Sequence, residues 1–327
     1  MINLLDKYRR KIDYLRISII DKCNLKCIYC MPEESVESIE KDELLTFEEI
    51  ERICIAAAEI GIKKIKITGG EPLIRKEVAE LVKKIKLIKG IENVTLTTNG
   101  ILLEKNIEEL AQAGIDGINI SLDSLKEKKY HEITRCGYLK DVLSGIESVV
   151  NKKIKLKLNC VIIKNINEDE IIEIAGLAQK YPIDVRFIEL MPIGYGKEFS
   201  SVSNEVIKGK LETYFGKLIL SETTHGNGPA EYFDINGFKG SVGFISALSH
   251  IFCDSCNRIR ITCDGSIKLC LNYDNGLNVK EKIRSGISND ELKDYLYHCI
   301  IEKPLYHGFN ESKKDSTEHR KMIQIGG

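Results

Sequence analysis

Apolar residues in the first two-thirds of this chain follow two alternating rhythms. Short β-rich runs occur at 14–19 (YLRISI), 63–69 (KKIKITG), 93–100 (NVTLTTNG), 117–123 (GINISLD), 154–162 (IKLKLNCVI) and 184–190 (DVRFIEL). Between them lie stretches of helical spacing: TFEEIERICIAAAEIG, KEVAELVKKIKLI, NIEELAQAG and NEDEIIEIAGLAQKY. In the first of these, Thr46 is followed three residues on by Glu49, a capping-box signature, and Gly61 stands just past the end. A period of roughly 25–35 residues suits successive strand–helix units.

Six such units fit either an incomplete barrel or an open doubly wound sheet. No G-x-G-x-x-G follows the first strand; a cysteine-rich loop stands there instead. Polar residues collect where the strands end: Thr68-Gly69-Gly70-Glu71, Thr97-Thr98-Asn99, Ser121 with Asp123, Asn159 and Glu189. Barrel enzymes place their chemistry at those ends. The pattern therefore predicts an α/β chain built on an incomplete (β/α)6-type barrel. After about residue 220 the rhythm breaks. A glycine-rich segment (224–246) is followed by FCDSCNRIRITCDGSIKLCL (252–271), which reads as a hairpin turning at Asp264-Gly265. The expected division is a barrel over 1–220 and a C-terminal domain over 221–327. The tail ESKKDSTEHRKMIQIGG is polar, and such an end is mobile unless docked.

Composition narrows the classes of function. The net charge is −1, which offers no global basic field for nucleic acid, so any anion site must be local. The first twenty residues lack a signal-type apolar core, and no apolar run approaches the length of a membrane span. A cytoplasmic protein is the expectation. Eleven cysteines are many for a reducing compartment, where clusters of them point to metal or catalysis before disulfides. Cys54, Cys136, Cys160, Cys263 and Cys299 are scattered and read as small buried hydrophobes.

Cys23, Cys27 and Cys30 lie in DKCNLKCIYCMPE, spaced C-x3-C-x2-C. Structural zinc takes four protein ligands, and three cysteines in one loop do not complete such a site. Three thiolates on a [4Fe–4S] cluster leave one iron open. The loop directly follows the first strand, and ITGGEPLIR (67–75) follows the second. On these residues the chain resembles the radical S-adenosylmethionine (SAM) superfamily, whose GGEP backbone receives the amino group of SAM. The resemblance implies that the open iron chelates SAM and that reduction cleaves it to methionine and a 5′-deoxyadenosyl radical.

Cys253, Cys256 and Cys270 form a second trio, C-x2-C-x13-C, with Cys263 between them. Taken alone, this fits a second cluster or a four-cysteine zinc ribbon equally well. The wider sequence resembles one family closely, the GTP 3′,8-cyclases (the MoaA family) that begin molybdenum-cofactor biosynthesis. Its motifs run in order along the chain: DYLRISIIDKCNLKCIYCMP, KITGGEPLIR, LTTNG, NISLDSL, VRFIELMPIG, FCDSCNRIRITCDGSIKLCL and the final IGG. The resemblance implies a radical SAM barrel with a C-terminal domain carrying an auxiliary cluster, hence two [4Fe–4S] clusters. Cys263 would not be a ligand. Tyr29, Gly70, Ser121 and Met191 match SAM-contacting positions. Arg16, Lys66, Thr97, Lys157, Arg186, Arg258, Ile259 and Arg260 match positions around GTP, with Arg258 and Arg260 fixing the reacting geometry. The implied reaction removes the ribose 3′ hydrogen, joins C3′ to guanine C8 and quenches the product with one electron and one proton. Implied partners are GTP, a flavodoxin- or ferredoxin-type electron donor, the following enzyme MoaC and a second copy of the chain. Other readings are a radical SAM peptide maturase with an auxiliary cluster and a zinc-ribbon nucleic-acid binder.

The chain departs from the family at Lys66, where an arginine is usual. Period two places Lys64, Lys66 and Thr68 on one strand face, and likewise Arg16 with Ser18, Lys155 with Lys157 and Asn159, and Arg186 with Asp184. Four strands are thus expected to aim a cation inward, which calls for an anionic occupant; the alternative is a solvated edge. The terminal Gly326-Gly327 is expected to dock near the site.

Overall fold

A computed structural model describes residues 4–34, 38–249, 252–274, 276–309, 318 and 320–326. Six strands form its centre: β1 (Tyr14–Ser18), β2 (Lys64–Thr68), β3 (Asn93–Thr98), β4 (Gly117–Ser121), β5 (Lys155–Val161) and β6 (Asp184–Ile188). They pair in parallel and in sequence order, as six consecutive strand–helix units require. The helices are α1 (Phe47–Glu59), α2 (Val78–Lys86), α3 (Leu103–Gln112), α4 (Glu127–Thr134), α5 (Leu139–Asn151) and α6 (Ile171–Lys180). Both halves of the α1 capping box form, and Gly61 takes a φ of 115° just past the helix. Such a cap contributes about 1 kcal/mol. The unit after β4 holds two helices, α4 and α5, where the pattern of apolar positions singled out none.

Strand alternation sorts the two faces. Leu15, Ile17, Ile65, Ile67, Val94, Leu96, Ile118, Ile120, Leu156, Leu158, Val185 and Phe187 are buried in one continuous core. The opposite, concave face carries the polar set. Parallel pairing puts Arg16 beside Lys66 and Lys66 beside Thr95 on one rung, and Thr97 beside Asn119 and Asn119 beside Lys157 on the next.

The strands from residue 219 onward extend this same sheet from both ends. Following α7 (Asn204–Phe215), β7 (Ile219–Leu220), β8 (Glu231–Asp234) and β9 (Val242–Ile245) add to β6: β9 pairs parallel with β6, β8 antiparallel with β9 and β7 antiparallel with β8. Strand β10 (Arg258–Ile261) lies parallel to β1 at the other side, followed by antiparallel β11 (Ile267–Lys268). The β10–β11 pair is the expected hairpin, with Gly265 at φ 85°. The β9–β10 connection runs from one edge region of the sheet to the other, and it carries Cys253 and Cys256. Helix α9 (Asn289–Ile301) packs on α1 and α8 (Val279–Arg284) on α9, and α10 (Met322–Ile325) is followed by Gly326, the last described residue.

Candidate active site

Both cysteine trios line one cavity on the concave face. Cys23, Cys27 and Cys30 border it from the loop after β1, and Cys253, Cys256 and Cys270 border it from the β9–β10 connection and the residues after β11. All six are free thiols. Cys263 is fully buried and does not line the cavity; its carbonyl accepts the Leu45 amide. It therefore stands apart from the trio that a ribbon would require it to join. Among the described residues, no three His, Cys, Asp or Glu side chains converge on a point suited to one metal ion. Of the scattered cysteines, Cys54, Cys160, Cys263 and Cys299 are buried as expected, whereas Cys136 is exposed in the turn after α4, where its thiol reaches the Asn24 carbonyl. A polar, solvent-facing turn leaves it no core to join.

The two trios differ electrostatically. Burial pushes the Cys23 thiol up to about 11 and Cys30 to about 12, and raises Cys27 well above the ordinary thiol value. No cationic side chain is a main influence on those three, so a cationic cluster is the natural counter-charge for three thiolates there. Around the second trio the protein supplies cations of its own. Burial would raise Cys256, but Lys303, Arg258, the Arg258 amide and Arg260 together hold that thiol at about 6. Lys303 is buried and its ammonium also donates to the Leu269 carbonyl. Arg10 braces the same loop: it pairs with Asp6 and donates to the carbonyls of Cys253 (2.8 Å), Pro304 (2.8 Å) and Leu305 (3.0 Å). Neither Arg10 nor Lys303 carried a sequence signal, since both sit in ordinary polar surroundings in the chain.

The GGEP segment is built around the first cysteine loop. The Gly70 amide donates to the Ile20 carbonyl at 2.6 Å and the Glu71 amide to that of Lys22 at 2.8 Å. A β-carbon on Gly70 would overlap the Lys22 carbonyl, so this glycine is required for backbone to meet backbone. The Glu71 carboxylate is not in the cavity. It is wholly buried and accepts from the Thr98 hydroxyl and the amides of Asn99 and Leu73. Burial pushes it up to about 7. Through this network Asn99 is set beside Cys23, with its side-chain amide 3.7 Å from the sulfur.

Tyr29, Gly70, Ser121 and Met191 all border the cavity. The Tyr29 hydroxyl donates to Asp123 at 2.6 Å. Arg16, Lys66, Thr97, Lys157, Arg186, Arg258 and Arg260 border it too. Ile259 differs: its side chain is 1% exposed in the hydrophobic core, as alternation along β10 dictates, so only its main chain shares the concave face. Lys66, Lys157 and Arg186 are buried rather than solvated. Lys64 points elsewhere, pairing with Asp13 at 3.0 Å. Burial and then the guanidiniums of Arg186 and Arg16 push Lys66 well down. Lys157 is pushed down to about 7 by burial and Arg186, with Asp184 at 3.2 Å opposing. Burial, Arg16 and Arg258 lower Arg260, although a guanidinium keeps its charge in proteins. The Nε atoms of Arg186 and Arg260 are buried without a hydrogen-bond partner among the described residues. Mutually repelling cations with spare donors form a receptor for a polyanion.

The described tail reaches the same place. Lys268 of β11 forms a buried ion pair with Glu318, and Arg320 adds contacts to Glu318, Asp264 and Asp274. Beyond them Met322 and Ile323 line the cavity, and Gly326 packs on Ser18 and Thr68, where a β-carbon would come within 2.9 Å of Ser18. Gly327 lies outside the described residues.

Comparison with known proteins settles the kinship. The Radical SAM superfamily model matches residues 17–178, and the Molybdenum Cofactor Synthesis C model matches 183–309. A GTP 3′,8-cyclase of Clostridium perfringens is 49% identical over 98% of this chain and 99% of its own. The chain belongs to the GTP 3′,8-cyclase family of radical SAM enzymes. Members from Pelotomaculum thermopropionicum and Thermodesulfovibrio yellowstonii are 42% and 43% identical, each over 98% of this chain and 99% of their own. Among solved structures, Streptococcus suis SuiB bound to S-adenosylmethionine superposes with a TM-score of 0.61 at 18% identity, covering 94% of this chain and 70% of that one. That likeness shows the shared fold. The family places a [4Fe–4S] cluster and SAM in the enzyme, and the peptide-maturase and zinc-ribbon alternatives are not favoured. Among the described residues no helix is long and apolar enough to cross a membrane.

Proposed function

We propose that this chain converts GTP to (8S)-3′,8-cyclo-7,8-dihydroguanosine 5′-triphosphate, the first step of molybdenum-cofactor biosynthesis. The observation that carries the reading is the one cavity bordered by both cysteine trios, with buried cations from β2, β5 and β6 and half-buried arginines from β1 and β10. The first trio would hold the SAM cluster and the second trio an auxiliary cluster. With SAM bound, a reduced cluster held by Cys23, Cys27 and Cys30 would supply 5′-deoxyadenosyl radical chemistry able to take the ribose 3′ hydrogen.

The chain's own residues confine that radical to one target. Tyr29, Gly70, Ser121 and Met191 border the SAM end, and Arg16, Lys66, Lys157 and Arg186 the phosphate end. Arg258 and Arg260 stand beside the second trio, where they would hold the base so that C3′ and C8 meet. Fixing both reactants removes most of the entropic part of such a barrier. The curled sheet and the tail over its concave face would exclude water from a reactive intermediate. The electron donor, a homodimer and delivery to MoaC belong to the same proposal and rest on family likeness alone. Anaerobic incubation of the reconstituted enzyme with GTP, SAM and a reductant tests it. One product isomeric with GTP should form for each 5′-deoxyadenosine released. SAM cleavage with no change in GTP would refute the assignment.

A further inference from the structure

The cavity has a second end, away from the first cysteine loop, and a loop of this chain closes it. Asn93, Asp116-Gly117 and Lys155 mark the starts of β3, β4 and β5, and all border the cavity together with His225, Gly226, Asn227, Gly228 and Pro229. The 225–229 loop is strapped to several strand starts. His225 Nδ1 lies 3.0 Å from Asp184 at the start of β6, and its ring stacks on Tyr232 with centroids 4.3 Å apart. The Asn227 side chain donates to Asn93 at the start of β3 (2.7 Å), while its carbonyl accepts from Asn257, just before β10 (3.3 Å). Asn257 in turn donates to Asp13, just before β1 (2.7 Å). The loop therefore crosses the mouth from β6 to β3 and β10.

Charge gathers against this loop. The Lys157 ammonium is hydrogen-bonded to the His225 carbonyl and lies 2.9 Å from the Tyr232 hydroxyl and 3.2 Å from Asp184. A β-carbon at Gly226 would come within 2.7 Å of that ammonium, so glycine lets loop and cation meet. Among the described residues, the amides of Gly226, Asn227 and Gly228 have no protein acceptor. Successive free amides beside a buried ammonium make an anion-binding concavity.

We propose that the 225–229 loop is the floor of the nucleotide site and measures phosphate-chain length, with His225 and Asn227 as the positioning residues that brace it. This rests on the GTP reading above. A triphosphate held by Lys66, Lys157 and Arg186 ends on the loop, and its terminal phosphate takes the free amides. A diphosphate stops short of them, so the braced floor favours GTP over GDP and leaves the guanine end untouched.

The test compares wild type, His225→Ala and Asn227→Ala, all anaerobically reconstituted and matched for iron content. Asn227→Ala removes only braces and does not touch Lys157, so it stays informative if His225→Ala folds poorly. Equilibrium dialysis with GTP and with GDP, and KM and kcat for GTP, are measured. GTP affinity should fall on the order of tenfold, the loss expected when hydrogen bonds to a charged group are misplaced. KM should rise in step, kcat should change far less, and GDP affinity should hardly move. Equal losses for GTP and GDP, or an unchanged GTP affinity in Asn227→Ala, overturn the floor. A wild-type enzyme that binds neither nucleotide overturns the GTP reading itself, and the floor with it.

Discussion

Lys66 is a lysine at a position where the family resemblance leads one to expect an arginine. It is buried among Arg16, Lys157, Arg186 and Arg258, all of which disfavour its charge. Folding tolerates such a lysine when an anion completes the set. Lys66→Ala should weaken GTP binding by about 1.5–3 kcal/mol, the range for hydrogen bonds to charged groups. Lys66→Arg should bind as well or better, because a guanidinium grips two oxygens where an ammonium grips one. Anaerobic titration calorimetry decides this, and wild-type affinity in the alanine variant would place Lys66 outside the phosphate site. A second expectation concerns pH. In the free protein Lys157 is pushed down to about 7 by burial and Arg186. A bound polyanion favours the ammonium and raises that value, so binding takes up a proton above pH 7. GTP affinity should fall as the pH rises from 7 to 9, and Lys157→Met should flatten the slope. An affinity independent of pH across that window would contradict the charge assignment.

At the level of elements, the cavity is bordered by segments outside the six strand–helix units. The β9–β10 connection holds two of the second trio's cysteines, and α10 brings Gly326 onto the ends of β1 and β2. Gly326 takes a φ of 72° against Ser18, a position that excludes a side chain twice over. Gly326→Val should therefore lower cyclisation at least tenfold, with iron content unchanged. Product yield and iron analysis on the same preparation test it, and an unchanged yield would mean that the tail's docking is incidental. The six central strands, the capping box and the β10–β11 hairpin were all legible in the chain, because each follows from periodicity or turn chemistry within a few residues. The inward cations were legible too, since alternation alone decides a strand face. Arg10, Lys303, His225 and Asn227 were not. Each acts by touching carbonyls or side chains far away in the chain, and local pattern holds no record of those contacts. Alternation also sends the Ile259 side chain into the core while its two arginine neighbours face the cavity.

The whole molecule is one open sheet whose concave face is enclosed by its own later strands, loops and tail. Two cysteine trios at that face imply about eight irons per chain after anaerobic reconstitution, four for each [4Fe–4S] cluster. Cys23→Ala should hold about half of them. Stoichiometric zinc with the Cys253 loop intact would instead favour a ribbon. The roles should separate as well: Cys270→Ala should retain some SAM cleavage and lose cyclisation. What ties both trios to one reaction is the path of a single hydrogen atom, and that path is directly measurable. GTP deuterated at the ribose 3′ position is turned over anaerobically with SAM, and the 5′-deoxyadenosine is analysed by mass spectrometry. One deuterium per molecule of 5′-deoxyadenosine, matched by an equal amount of a cyclised isomer of GTP, is the predicted result. Unlabelled 5′-deoxyadenosine, formed while the deuterated GTP is recovered intact, would contradict the account.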